Sequence, residues 1–188
     1  MTIKSRALGL GAFALSTATL ATLAFAQDVP MVGGAPMYPD RTIIENAVNS
    51  ADHTTLVAAV TAAGLVETLE GEGPFTVFAP TNEAFATLPE GTVETLLMPE
   101  NLETLRHILL CHVVAGNVMA ADIMGMVDAD GGSHQVETVG GCVLTITYDD
   151  GGVMVTDENG TTAHVTIPDV AQSNGVIHVI DAVLTPAA

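Results

Sequence analysis

The chain carries 22 acidic residues against four Lys or Arg in 188, a formal charge of −18 at neutral pH, and 48% of it is hydrophobic. A surface this acidic repels phosphate backbones and anionic lipid, which argues against nucleic acid as a partner and against an electrostatic membrane role. The length suits one domain with a sizeable core.

Residues 1–26 hold Lys4 and Arg6, an apolar run from Ala7, and the small-residue sequence Ala24-Phe25-Ala26. That is the pattern of a cleavable export signal. Ser16, Thr17, Thr19 and Thr22 dilute the run, which favours cleavage over retention as a membrane anchor. Cleavage removes two basic residues and no acidic one, so the charge moves from −18 to −20 and no lysine remains. The expected location is periplasmic or secreted, with no stable membrane insertion afterwards. Residues 27–40, with Pro30, Gly33, Gly34, Pro36 and Pro39, read as a linker or extended arm.

From Arg41 the pattern is helical. Ile43, Ile44, Ala47 and Val48 share one face, and Asp52 is placed to cap the next helix. That helix turns Leu56, Val57, Val60 and Ala63 inward and stops at Gly64. After a short turn over 65–69, the run from Phe75 to Ala79 is apolar, β-branched and aromatic, which suits a strand buried on both faces. Pro80 ends it, Thr81 caps a short helix, and Glu83 falls in the first turn, where the helix dipole favours an acid. Residues 92–97 make another short helix. Pro99 opens a longer one with Leu102, Leu105, Ile108 and Leu109 as its buried stripe. At Cys111-His112-Val113-Val114 the pattern switches to strand, and residues 120–126 read as a short helix. Residues 134–139 and 142–148 form a hairpin around Gly140-Gly141, and 153–156 with 162–167 form a second pair. Residues 176–184, apolar on both parities except at His178 and Asp181, read as a central strand. Helices first and antiparallel strands after is α+β layering.

Three stretches carry a resemblance. Residues 73–88, G-P-F-T-V-F-A-P-T-N-E-A-F-A-T-L, resemble the first signature of the fasciclin (FAS1) domain. Residues 105–116, L-R-H-I-L-L-C-H-V-V-A-G, are similar to its middle signature, and 174–186, N-G-V-I-H-V-I-D-A-V-L-T-P, to its last. The resemblance implies a single fasciclin domain over residues 41–186: an α+β fold with a β-wedge or sandwich of mostly antiparallel strands and several short helices concentrated in the first half. For a chain whose leader reads as exported, it also implies a role in adhesion, binding a protein or polysaccharide of the cell envelope or extracellular matrix. Oligomeric state is not implied.

Thr81, Asn82, His112, Asn174, Gly175 and His178 occupy signature positions and read as structural. A buried imidazole left unpaired costs about 1–3 kcal/mol, so backbone or hydroxyl partners are expected for the two histidines. Pro168-Asp169-Val170 aligns with the Pro-Asp-Ile integrin-contact motif of animal fasciclin proteins, with Ile167 where they have Glu and Ala171 where they have Met. An exposed Asp there would contact a receptor's metal; the competing reading is an ordinary loop whose Asp makes a local turn. Cys111 stands where the middle signature has Tyr, which weakens the transfer of an adhesive role assigned to that Tyr-His region.

The six histidines show no His-x-x-x-His spacing, and neither a Gly-x-Ser-x-Gly elbow nor a phosphate-cradling glycine loop occurs. The reading is a non-enzyme with no cofactor. Cys111 and Cys142 are both exported, so a disulfide is permitted, with two separate buried thiols as the alternative. Met31, Met37, Met119, Met124 and Met126 fall in expected loops rather than core stripes. Thioethers suit Cu(I), so the alternative function is a periplasmic soft-metal or small-ligand binder using these methionines.

Overall fold

Proline and glycine cut this chain into short elements, and apolar stripes decide where each one is buried. The computed structural model describes residues 29–187; the export signal read in residues 1–26 lies outside them. The segment read as an arm is instead packed. Strands β1 (Met31–Val32) and β2 (Ala35–Pro36) pair as a small hairpin, turned by Gly33 and Gly34 at positive φ. Val32 and Met37 enter the core, and Asn46 Nδ2 donates to the Tyr38 carbonyl at 2.7 Å. Two apolar anchors outweigh the loop-like composition.

Helix α1 (Ile43–Ala47) starts at Thr42, which accepts from the Glu45 amide while the Glu45 carboxylate accepts from Thr42 N–H, a reciprocal cap that the sequence reading had not singled out. The helix ends at Ala47, so Val48 leaves its face and is exposed. Asp52 caps nothing; it lies in a 3-10 turn, Ala51–His53, ahead of α2 (Thr54–Ala62). Then follow α3 (Val66–Glu70), β3 (Phe75–Pro80), α4 (Asn82–Ala86), α5 (Thr92–Leu96) and α6 (Leu102–Leu110). Pro99 opens the 3-10 turn Pro99–Asn101 that leads into α6.

The second half comprises β4 (Val113–Ala115), α7 (Ala120–Ala129), β5 (His134–Glu137), β6 (Val143–Asp149), β7 (Gly152–Thr156), β8 (Thr162–Gln172) and β9 (Gly175–Ile180). These six strands and β3 form one sheet in the order β4-β3-β9-β8-β7-β6-β5. Every pairing in it is antiparallel except β3 with β9, which run parallel from Phe75↔Gly175 to Pro80↔Ile180. The α+β wedge with helices concentrated in the first half is the fold the sequence led us to expect.

The β3–β9 pair divides the core. On one side Val77, Ala79, Ile177 and Val179 meet Ile43, Leu56, Val60, Leu105 and Leu109 from the helices. On the other, Phe78 and Ile180 meet Ile123 and Val127 of α7 and Leu144, Ile146 and Val155 of the hairpins. A strand with apolar side chains on both faces is what such a double core demands. Among the described residues, no helix is long and apolar enough to cross a membrane.

Candidate functional site

The signature residues hold backbone to backbone. Thr81 Oγ1 accepts from the Ala84 amide and starts α4. Asn82 Oδ1 accepts from the Thr55 amide and the Thr54 hydroxyl, and its Nδ2 donates to the Ala51 carbonyl. Asn174 Oδ1 accepts from Ile43 N–H at 3.0 Å, while its Nδ2 donates to the carbonyls of Leu69 and Gly71, joining α1, α3 and the β8–β9 turn. Gly175 leaves no room for a side chain: a Cβ would lie 1.9 Å from the Phe75 carbonyl oxygen.

The two signature histidines are buried and doubly bonded. His112 Nε2 accepts from Leu184 N–H at 2.9 Å, so Nδ1 carries the proton donated to the Ile108 carbonyl at 2.8 Å. His178 Nδ1 accepts from Asp169 N–H at 3.3 Å, so Nε2 donates to the Val118 carbonyl at 2.9 Å. Its ring stacks on Phe78 with centroids 5.7 Å apart. Burial pushes His112 down from 6.5 to about 4, opposed by the Ile108 carbonyl and the Asp157 charge. Burial likewise lowers His178, opposed by the Val118 carbonyl and Asp169. A third buried histidine, His53, lines a small apolar cavity of about 40 Å³ together with Met37 and Phe78. Its Nδ1 meets Ser50 Oγ at 2.9 Å, its Nε2 has no hydrogen-bond partner among the described residues, and burial lowers it too; the nearby Ala79 carbonyl offsets this partly without completing a bond.

Pro168-Asp169-Val170 is not a loop. It lies inside β8, where the pairing with β9 slips twice, between Val165 and Ile167 and between Ile167 and Val170. The double bulge puts Asp169 in the left-handed region (φ 58°), a conformation that Asp tolerates better than most side chains. Val170 is fully buried and Pro168 exposed. The Asp169 carboxylate is occupied: Oδ1 accepts from Ala120 N–H at 2.7 Å, at the first turn of α7. Beside it, a partly open groove of about 330 Å³ runs between α7, the β6–β7 turn and β8. Ala120, Met124, Val153, Val165 and Pro168 give it an apolar floor, and Tyr148 and Asp149 stand at its edge. The Tyr148 hydroxyl donates to Asp128 at 2.6 Å, and this bond is the first cause of a raised phenol pKa.

Two of the five methionines lie in the N-terminal segment, and three lie at or on α7. Met37 is only 2% exposed in the helix-side core and Met126 packs against the other core, contrary to the loop placement expected of them. Met31 is exposed on the hairpin, Met119 is the N-cap of α7, and Met124 is exposed in the groove. Cys111 and Cys142 are bonded to each other, with Cα atoms 5.4 Å apart. Sequence reading passed over Asp157, a buried carboxylate in the β7–β8 turn. It accepts from the amides of Asn159, Thr161 and Thr185 and ties down the C-terminal segment. A turn-forming Asp was visible in the sequence; its partner at Thr185 was not.

Comparison with known proteins places these features in a family. The fasciclin domain model matches residues 51–186. The chain is 45% identical over 175 residues to Protein sll1483 of Synechocystis sp., covering 93% of this chain and 90% of that one. It is 35% identical over 150 residues to transforming growth factor-beta-induced protein ig-h3 of Sus scrofa, covering 80% of this chain and 20% of the relative. The solved structure of a FAS1 domain pair from the insect cell adhesion molecule fasciclin I superposes with a TM-score of 0.68 at 20% identity, over 80% of this chain and 51% of that one. The chain therefore belongs to the fasciclin family.

Proposed function

We propose that this protein is exported and acts by binding, in adhesion to a protein or polysaccharide of the cell envelope or extracellular matrix. The leader pattern of residues 1–26 supports export. The signature polar side chains are committed to backbone hydrogen bonds, which supports binding rather than catalysis. The groove between α7, the β6–β7 turn and β8 is the contact surface. The observation that carries this assignment is Met124, 39% exposed beside exposed Pro168 and the ring of Tyr148 on an otherwise acidic molecule. An apolar floor with an acidic lip suits an apolar side chain or a sugar face flanked by positive charge.

The test is retention of the purified full chain on envelope fractions of its own host, for the parent, Met124→Glu and Pro168→Glu. Both substitutions lie on exposed positions, so the folded state persists and far-UV circular dichroism checks it. Retention falls at least about tenfold if the groove is the surface, the loss of roughly 1.4 kcal/mol or more expected of a central contact. Undiminished retention of both folded variants rejects the groove; no retention of the parent rejects envelope binding.

A further inference from the structure

Two turns of the chain bring a histidine and both cysteines to one point. His107 and Cys111 are four residues apart at the end of α6, hence on one helical face. Cys142 arrives from the β5–β6 turn, where Thr138 Oγ1 accepts from its amide and donates to its carbonyl. Val139 N–H bonds to the Val113 carbonyl and Gly140 N–H to the Leu110 carbonyl, so that turn is fastened to the α6–β4 junction independently of the disulfide. His107 Nε2 lies 3.9 Å from Cys142 Sγ, and the three ligand atoms all lie within 4.8 Å of one another. The two cysteines are 1% and 3% exposed, whereas His107 faces solvent.

We propose that reduction of the Cys111–Cys142 disulfide turns this cluster into a three-ligand site for a soft, thiolate-preferring metal ion of the Zn²⁺ class, held by His107 Nε2, Cys111 Sγ and Cys142 Sγ. A dithiol reductant supplies two electrons and two protons: the S–S bond breaks, two thiols form, and the reductant leaves as its own disulfide. The metal then displaces both thiol protons. Zn–S bonds of about 2.3 Å and Zn–N bonds of about 2.0–2.1 Å put tetrahedral ligand atoms roughly 3.5–3.8 Å apart. The His107–Cys142 separation is already close to that. The sulfurs need only part by side-chain rotation. On metal binding His107 Nε2 gives up its 3.1 Å contact with the Gly140 carbonyl, and Nδ1 carries the proton. The fourth position opens on the solvent side, where His107 is exposed. The site uses none of the groove residues, so it stands or falls separately from the adhesive reading.

The experiment reduces the full chain with a phosphine, desalts it anaerobically and titrates it with Co²⁺. The reduced chain takes up one equivalent with thiolate-to-cobalt charge-transfer absorption, Zn²⁺ displaces it, and the oxidised chain shows no such band. His107→Ala, an exposed change that leaves the disulfide and core intact, weakens affinity at least about tenfold, the lower end of the effect of losing a metal-site partner. Bound Zn²⁺ also slows reoxidation of the thiols. The proposal is overturned if the folded, reduced chain shows no charge-transfer band, if His107→Ala binds as tightly as the parent, or if circular dichroism shows that reduction alone unfolds the chain.

Discussion

Both signature histidines sit where a proton would turn an acceptor into a donor aimed at another donor. His112 Nε2 faces Leu184 N–H and His178 Nδ1 faces Asp169 N–H, so each imidazole is held neutral by geometry as well as by burial. The consequence is a pH dependence of known sign. A folded pKa below the unfolded value means that the unfolded chain binds more protons, so stability is full above about 6.5 and declines as pH falls toward the folded value. For His112, displaced from 6.5 to about 4, the whole effect is worth on the order of 3 kcal/mol. His53 and His178 shift in the same direction. The urea midpoint should therefore fall steadily between pH 7 and pH 4.5, and His178→Gln, stable or not, should show a shallower fall than the parent. A midpoint flat across that interval would contradict the neutral assignments.

At the scale of elements, β3 and β9 decide the fold, and one backbone contact decides their pairing. Gly175 begins β9 against Phe75, and the approach excludes even a methyl group. Gly175→Ala must push the strands apart where the parallel ladder starts, next to the Asn174 bonds that hold α1 and α3. A loss of at least about 3 kcal/mol is expected, in the range of severe backbone strain, read as a lower denaturant midpoint or loss of soluble protein. Alanine at Gly132, also at positive φ but with open space around its Cβ position, provides the milder control. The bulged β8 works differently. Its two register slips expose Pro168 while its neighbour Asp169 caps α7, so the same irregularity shapes the groove and anchors the helix that forms its other wall.

The whole molecule must fold against its own charge. With four Lys or Arg against 22 acids, and Arg106 already engaged with Glu103 and the Ala63 carbonyl, little internal compensation exists. Screening should relieve that repulsion. Raising NaCl from about 0.01 to about 1 M shortens the Debye length from about 30 to about 3 Å, and the melting temperature should rise over that interval. A melting temperature independent of salt would show that the charges are too dispersed to strain the native state.

Local order was legible from the sequence wherever a single stretch contained its own cause. The both-faced apolar run at β3, the Thr81 cap, the α6 stripe and the hairpin around Gly140-Gly141 are set by residues within a few positions of one another; the structure has them, with Leu105 and Leu109 of the stripe buried and Leu102 and Ile108 half-buried against the core. The three signatures likewise identified the family because their wording is local. What tertiary structure alone decided was everything that depends on a distant partner. Composition marked residues 27–40 as an arm, but the buried places of Val32 and Met37 exist only once α1 and the sheet are assembled. Pro168-Asp169-Val170 read as a loop because a bulge is a mismatch between two strands and has no signal in either. The bond between Cys111 and Cys142, 31 residues apart, and the approach of His107 to it follow from the β5–β6 turn being fastened to the end of α6. Short-range sterics and periodicity are written in neighbouring residues; register, burial and the meeting of side chains from separate elements are settled only by the global packing that brings them together.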